Sequence, residues 1–100
     1  MQPSYTLPVK ERVILEMLSR STQMFGLQMV DESAGVLKRG TVYVTLGRME
    51  AKGLVASEQE PPQPGAIGLP RRFYRLTALG ERLLHAHAAF AAALAVGDRS

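Results

Sequence analysis

The stretch from Gly40 to Thr77 restricts folding most, because it sets a helical period, a helix stop, an extended run, a proline-rich break and a second extended run in that order. At about 100° per residue, Leu46 and Met49 fall on the same side of a helix as Val42, while Tyr43, Val44, Gly47 and Arg48 point the other way. Thr41 or Gly40 suits the entry to this helix, read as residues 40–53, and Gly53 suits the C′ position that ends it. Leu54 to Glu60 mixes apolar and polar residues as a strand does. The next ten positions contain Pro61, Pro62, Pro64 and Pro70, four of the chain's 6 prolines, and are read as a loop. Arg71 to Thr77 then returns as a basic and aromatic strand. Helix, strand, long loop and strand are the parts of a winged helix-turn-helix. The expected fold class is therefore mainly α with a small β-hairpin wing.

The flanking segments complete that plan. Pro8 to Arg20 carries Val9, Val13, Met17 and Arg20 at helical spacing with Ile14 and Leu18 adjoining, after Thr6 or Leu7 and a proline in the first turn. Ser21 to Met24 reads as a connection, Gly26 to Ala34 as a short helix with Leu27 and Val30 inward, and Gly35 as its end. Thr77 can cap a last, alanine-rich helix from Ala78 to about Val96, with fraying expected from Gly97. One domain over residues 1–100 is expected, with 8–77 as the winged helix and 78–96 as a dimerisation helix. The last helix presents Leu83, Leu84, Phe90 and Leu94, a ridge that a monomer of this size cannot bury on all sides.

A chain of 100 residues has room for a modest core, and 46% apolar with 21% charged residues is the balance of a globular protein. Neither a membrane-length apolar run nor a secretory signal is visible, so a cytoplasmic place, at the bacterial nucleoid, is expected. The absence of cysteine excludes disulfides and thiolate zinc sites. His85 and His87 lie two apart, about 200° around a helix, so no shared metal is expected. No nucleophile motif, phosphate-cradling glycine loop or paired catalytic carboxylates are present, and neither enzymatic activity nor a cofactor is expected. Met17, Met24, Met29 and Met49 read as core fillers, one of Phe73 and Tyr74 must be core, and Glu58 and Glu60 read as solubilising charges.

The net charge of +3 carries less information than its placement. Lys38, Arg39, Arg48, Lys52, Arg71, Arg72 and Arg75 lie in the 40–53 helix region and the second strand, against Glu50 alone. A one-sided basic face is the footprint of a phosphate-backbone partner. On that reading Arg48 meets base edges, Val44 meets a thymine methyl, and Gly47 permits close approach. Lys38, Arg39, Thr41 and Tyr43 stand at or near the phosphate-attracting helix start, and Arg71 and Arg72 touch phosphate or the minor groove from the wing 58–72. The alternatives are a winged-helix protein-interaction module that never meets DNA, and an accessory protein that blocks another regulator in mixed dimers.

The residues Gly40-Thr41-Val42-Tyr43, the run Arg48-Met49-Glu50-Ala51-Lys52-Gly53-Leu54-Val55, the strand Arg71-Arg72-Phe73-Tyr74-Arg75-Leu76-Thr77, and Phe25-Gly26 together resemble the PadR family of bacterial transcriptional regulators. The resemblance covers roughly residues 10 to 95 and implies a homodimer, its contact made by the first and last helices, that binds double-stranded DNA at a palindromic operator, most simply as a repressor. Two departures stand out. Val44 occupies a place where the family commonly has proline, and the chain ends soon after Leu94, near the short single-domain branch. Trp is absent, so a small-molecule effector site would have to use groups other than the tryptophans of some relatives.

Overall fold

The computed structural model describes residues 7–62, 64–65, 68 and 70–97; positions 1–6, with Thr6 among them, Gln63, Ala66, Ile67 and Leu69, which belong to the stretch read as a loop, and positions 98–100 lie outside the described residues. Among the described residues the order is α1 (Val9–Ser19), β1 (Met24–Phe25), α2 (Gly26–Glu32), α3 (Val42–Ala51), β2 (Val55–Gln59), β3 (Arg72–Leu76) and α4 (Ala78–Gly97). The strands form one antiparallel sheet in the order β1-β3-β2. Four helices and this small sheet make a winged helix-turn-helix, as expected, with a third strand added.

That strand corrects the reading of Ser21 to Met24 as a plain connection. Met24 pairs with Tyr74 and Phe25 with Phe73. A two-residue strand has no period of its own to read, and only its distant partner defines it. Its effect is local all the same: Met24 enters the core and Phe25 becomes the residue from which α2 starts.

The core gathers Ile14, Leu15, Met17 and Leu18 of α1, Met24, Met29 of α2, Leu37, Val42, Leu46 and Met49 of α3, and Leu54, Val55 and Tyr74 around the sheet. Each large apolar side chain taken out of water there contributes about 1.5–3 kcal/mol. All four methionines named as fillers are in it. The α1 stripe sits differently from expectation. Because α1 meets α3, α4 and β3 together, a broad sector centred on Ile14 and Leu18 is covered, while Val9 in the first turn remains exposed. In α2 the inward line is Gly26, Met29, Val30 and Ser33, and Leu27 is exposed instead of inward. Entry straight from the paired strand β1 sets the rotation of this short helix.

Ends and turns are fixed by hydrogen bonds. Ser33 Oγ donates to the Val30 carbonyl at 2.9 Å and accepts the Leu37 N–H at 2.9 Å, organising the chain between α2 and α3. Thr41 is the N-cap of α3, yet its side chain makes no capping bond; its carbonyl accepts the Thr45 N–H at 3.1 Å. At the other end Gly53 has φ +79, Gly53 N–H donates to the Glu50 carbonyl and Leu54 N–H to the Met49 carbonyl, both at 2.9 Å. This paired C-terminal pattern is why glycine serves there. Thr77 does cap α4, accepting the Gly80 N–H at 3.0 Å, and it donates to the Gly53 carbonyl at 2.6 Å. α4 thus starts pinned to the end of α3. Gly80 lets it come so close that a Cβ would collide with the Leu54 carbonyl oxygen. Beyond that contact Leu83 and Leu84 pack half-buried on the chain's own core, whereas Phe90 and Leu94 are exposed.

Candidate nucleic-acid interface

The helical period sorts α3 as expected. Val42, Leu46 and Met49 are buried together with Thr45, and Tyr43, Val44, Gly47 and Arg48 are exposed on the opposite side. Val44 is 55% exposed, an apolar surface that no element of the described chain covers. At Gly47 an added Cβ would meet nothing within 4 Å, so the folded chain itself does not demand glycine there. Tyr43 combines two situations. It is 49% exposed, yet a Cβ on Gly26 would come within 2.7 Å of its ring, so the ring rests against the start of α2. Lys38 and Arg39 are exposed just ahead of the helix, and Thr41 is exposed at its N-cap.

The basic residues divide into two groups that composition does not distinguish. Lys52 Nζ donates to both carboxylate oxygens of Glu11 at 3.0 Å, tying the end of α3 to α1 through a side chain only 7% exposed. Arg72 Nη1 donates to Ser57 Oγ at 3.0 Å, and Ser57 Oγ donates to Glu50 Oε2 at 2.7 Å, so Arg72 is linked through β2 to the outer side of α3. Arg71 forms an ion pair with Glu60, Nη2 to Oε1 at 3.1 Å, and its guanidinium lies 3.8 Å from the centroid of the Phe25 ring. By contrast, Lys38, Arg39, Arg48 and Arg75 make no ion pair among the described residues.

Arg71 and Arg72 therefore point to opposite faces of the wing. Strand alternation requires this, since Arg72 shares a face with Ser57 and Tyr74, and Arg71 shares the other with Phe73 and Phe25. Tyr74 is the core member of the aromatic pair; Phe73 stacks on Phe25 with ring centroids 4.1 Å apart. Burial pushes the Tyr74 phenol above its ordinary pKa of 10.0.

Sequence reasoning missed Glu11, Phe25, Ser57 and Glu60 as structural partners of these cations. Glu60 is corrected from a plain solubilising charge. Side-chain and then backbone hydrogen bonds from Arg71 hold its carboxyl below the ordinary value of 4.5. A signal existed for this pair alone, because Glu60 and Arg71 bracket the proline-rich loop and a hairpin register brings such residues opposite each other.

This architecture and the face of α3 have counterparts. Residues 14–86 match the transcriptional regulator PadR-like family. The chain belongs to that family. Its PadR-like character makes it a transcriptional regulator, not an enzyme. A PadR family transcription regulator from Clostridium difficile R20291 is similar in structure, with 28% identity and a TM-score of 0.66, over 82% of this chain and 85% of that one. Bacillus subtilis PadR, solved in complex with operator DNA, shares the fold at 21% identity and a TM-score of 0.69, over 81% of this chain and 47% of that one. Bordetella bronchiseptica BpsR, whose DNA binding is regulated by 6-hydroxynicotinic acid, does so at 21% identity and 0.71, over 91% and 60%. No curated protein sequence matches the chain. Among the described residues no helix is long and apolar enough to cross a membrane.

Proposed function

We propose that this PadR-like regulator binds double-stranded DNA sequence-specifically as a homodimeric repressor, with α3 in the major groove and the wing along the flanking backbone. One observation carries the reading: α3 is sealed into the core along Val42, Leu46 and Met49 and leaves Tyr43, Val44, Gly47 and Arg48 outward as a continuous face. Arg48 reads a base edge, Val44 packs on a thymine methyl, and Gly47 allows close approach. Lys38, Arg39, Thr41 and Tyr43 meet phosphate at the helix entry, and Arg72 follows the flanking strand. That the Bacillus subtilis relative was solved with operator DNA supports a duplex as the partner.

Dimerisation would rest on α4, where Phe90 and Leu94 are exposed at 65% and 57%. Leu83 and Leu84 support the same helix from below by packing on the core. Two α3 helices would then address palindromic half-sites about one helical turn apart. The whole chain acts as one unit, residues 8–77 as winged helix and 78–96 as dimer helix, in the cytoplasm at the nucleoid. A small-molecule effector, as in the Bordetella relative, would act on DNA binding.

Selection of duplexes from a random pool by the purified protein tests the reading. Enrichment of a palindrome is the expected result. Recovery of no preferred duplex would favour the protein-interaction module.

A further inference from the structure

Outside the α3 face, the densest set of unassigned interactions lies at the root of the wing. Glu60 and Arg71 are the last opposed pair before the proline-rich loop: Glu60 N–H donates to the Arg71 carbonyl at 2.6 Å and Arg71 N–H to Glu60 Oε2 at 3.4 Å. Their side chains meet again through Arg71 Nη2 and Glu60 Oε1 at 3.1 Å, with Arg71 Nε near Oε2 at 3.5 Å. On its other side the guanidinium covers Phe25, which stacks on Phe73. Phe25 is also the N-cap of α2, its N–H donating to Gln28 Oε1 at 3.2 Å. A single planar cation thus joins the hairpin where the loop begins to the first residue of the helix-turn-helix.

We propose that Arg71 is a positioning residue: pinned between Glu60 and Phe25, it fixes where the wing stands relative to α2 and α3, and it does not itself contact phosphate. It lies on the face of the sheet opposite Arg72. Moving Arg71 to a phosphate would break an ion pair and a ring contact together. Such a clamp needs arginine, since a lysine ammonium lacks the planar fork that meets a carboxylate and a ring at once.

The proposal rests on the DNA-binding reading for its functional consequence, and the test separates the two. Binding of wild type, Arg71→Lys, Arg71→Ala, Glu60→Gln and Phe25→Leu to an operator duplex is measured across a salt series. Amide hydrogen exchange at Glu60, whose N–H is bonded to the Arg71 carbonyl, is measured in the free proteins. Each variant is expected to bind about three- to tenfold more weakly, the size such exposed contacts carry, with the salt slope of wild type. Arg71→Lys does not rescue, and exchange at Glu60 accelerates in all variants.

A phosphate contact gives the opposite pattern: Arg71→Ala lowers the slope by about one per half-site, Arg71→Lys restores binding, and Glu60→Gln binds at least as tightly as wild type. Any of these, or unchanged exchange, overturns the clamp. Glu60→Gln keeps size and polarity, so it decides even if Arg71→Ala does not fold. If wild type binds no duplex, the DNA reading fails while the exchange arm still decides the clamp.

Discussion

Helix α3 and the wing both carry arginines on the same small domain, yet they are built by different rules. Along α3 a side chain's direction follows from its place in a 3.6-residue period, and Val42, Leu46 and Met49 go in while Tyr43, Val44, Gly47 and Arg48 go out. In the wing two neighbouring arginines have opposite surroundings, Arg71 against Glu60 and Phe25, Arg72 against Ser57 and through it Glu50. The comparison teaches that a basic residue on a helix can be assigned a face from sequence, whereas on a short strand its partners come from elsewhere in the chain and decide what charge it still offers.

The buried side of α3 gives the largest expected effect. Leu46→Ala removes a fully buried side chain and should lower unfolding stability by about 2–5 kcal/mol, read from denaturant midpoints. A loss below about 1 kcal/mol would mean α3 is not anchored as described and would blur its contrast with the wing. Lys52 is the place where α3 behaves like the wing, held by the distant Glu11. Lys52→Ala leaves that carboxylate sheltered and without its partner, a loss of about 1–3 kcal/mol between the values for exposed and buried pairs. The double variant Glu11→Gln/Lys52→Ala should lose less than the sum of the singles; strict additivity would dissolve the tether.

Arg72→Ala should weaken specific and random duplexes in equal proportion and reduce the slope of log affinity against log salt by about one per half-site. An unchanged slope would mean that Arg72, like Arg71, offers its charge to no phosphate. The smallest effect lies in alkali. Since burial raises the Tyr74 phenol, its neutral form is favoured in the folded state, and that share of stability is present below 10.0 and is lost as pH rises through the raised value. Tm should decline in that window and decline less in Tyr74→Phe; identical curves would remove Tyr74 as the cause.

The fold was legible where local signals suffice: the α3 period, Gly53 as a stop, Thr77 as a cap and the prolines as a break each correspond to a feature of the structure. Strand β1 was not, because Met24–Phe25 is defined only by pairing with Phe73 and Tyr74. Nor was the exposure of Leu27, since the rotation of α2 follows from that same pairing. At the candidate site the exposed residues of α3 could be read, and the commitments of Lys52, Arg71 and Arg72 could not, because Glu11, Phe25 and Ser57 reach them from other elements.

The central claim is that sequence discrimination resides on the outer face of α3. It is tested most directly by the ratio of affinities for the selected operator and a scrambled duplex, at one salt concentration, in wild type, Arg48→Ala and Arg72→Ala. The account predicts that Arg48→Ala loses about 1–3 kcal/mol on the operator, with relaxed preference at one position in each half-site, so that the ratio falls, while Arg72→Ala keeps the wild-type ratio. A ratio that survives Arg48→Ala, or that falls equally in both variants, would contradict it.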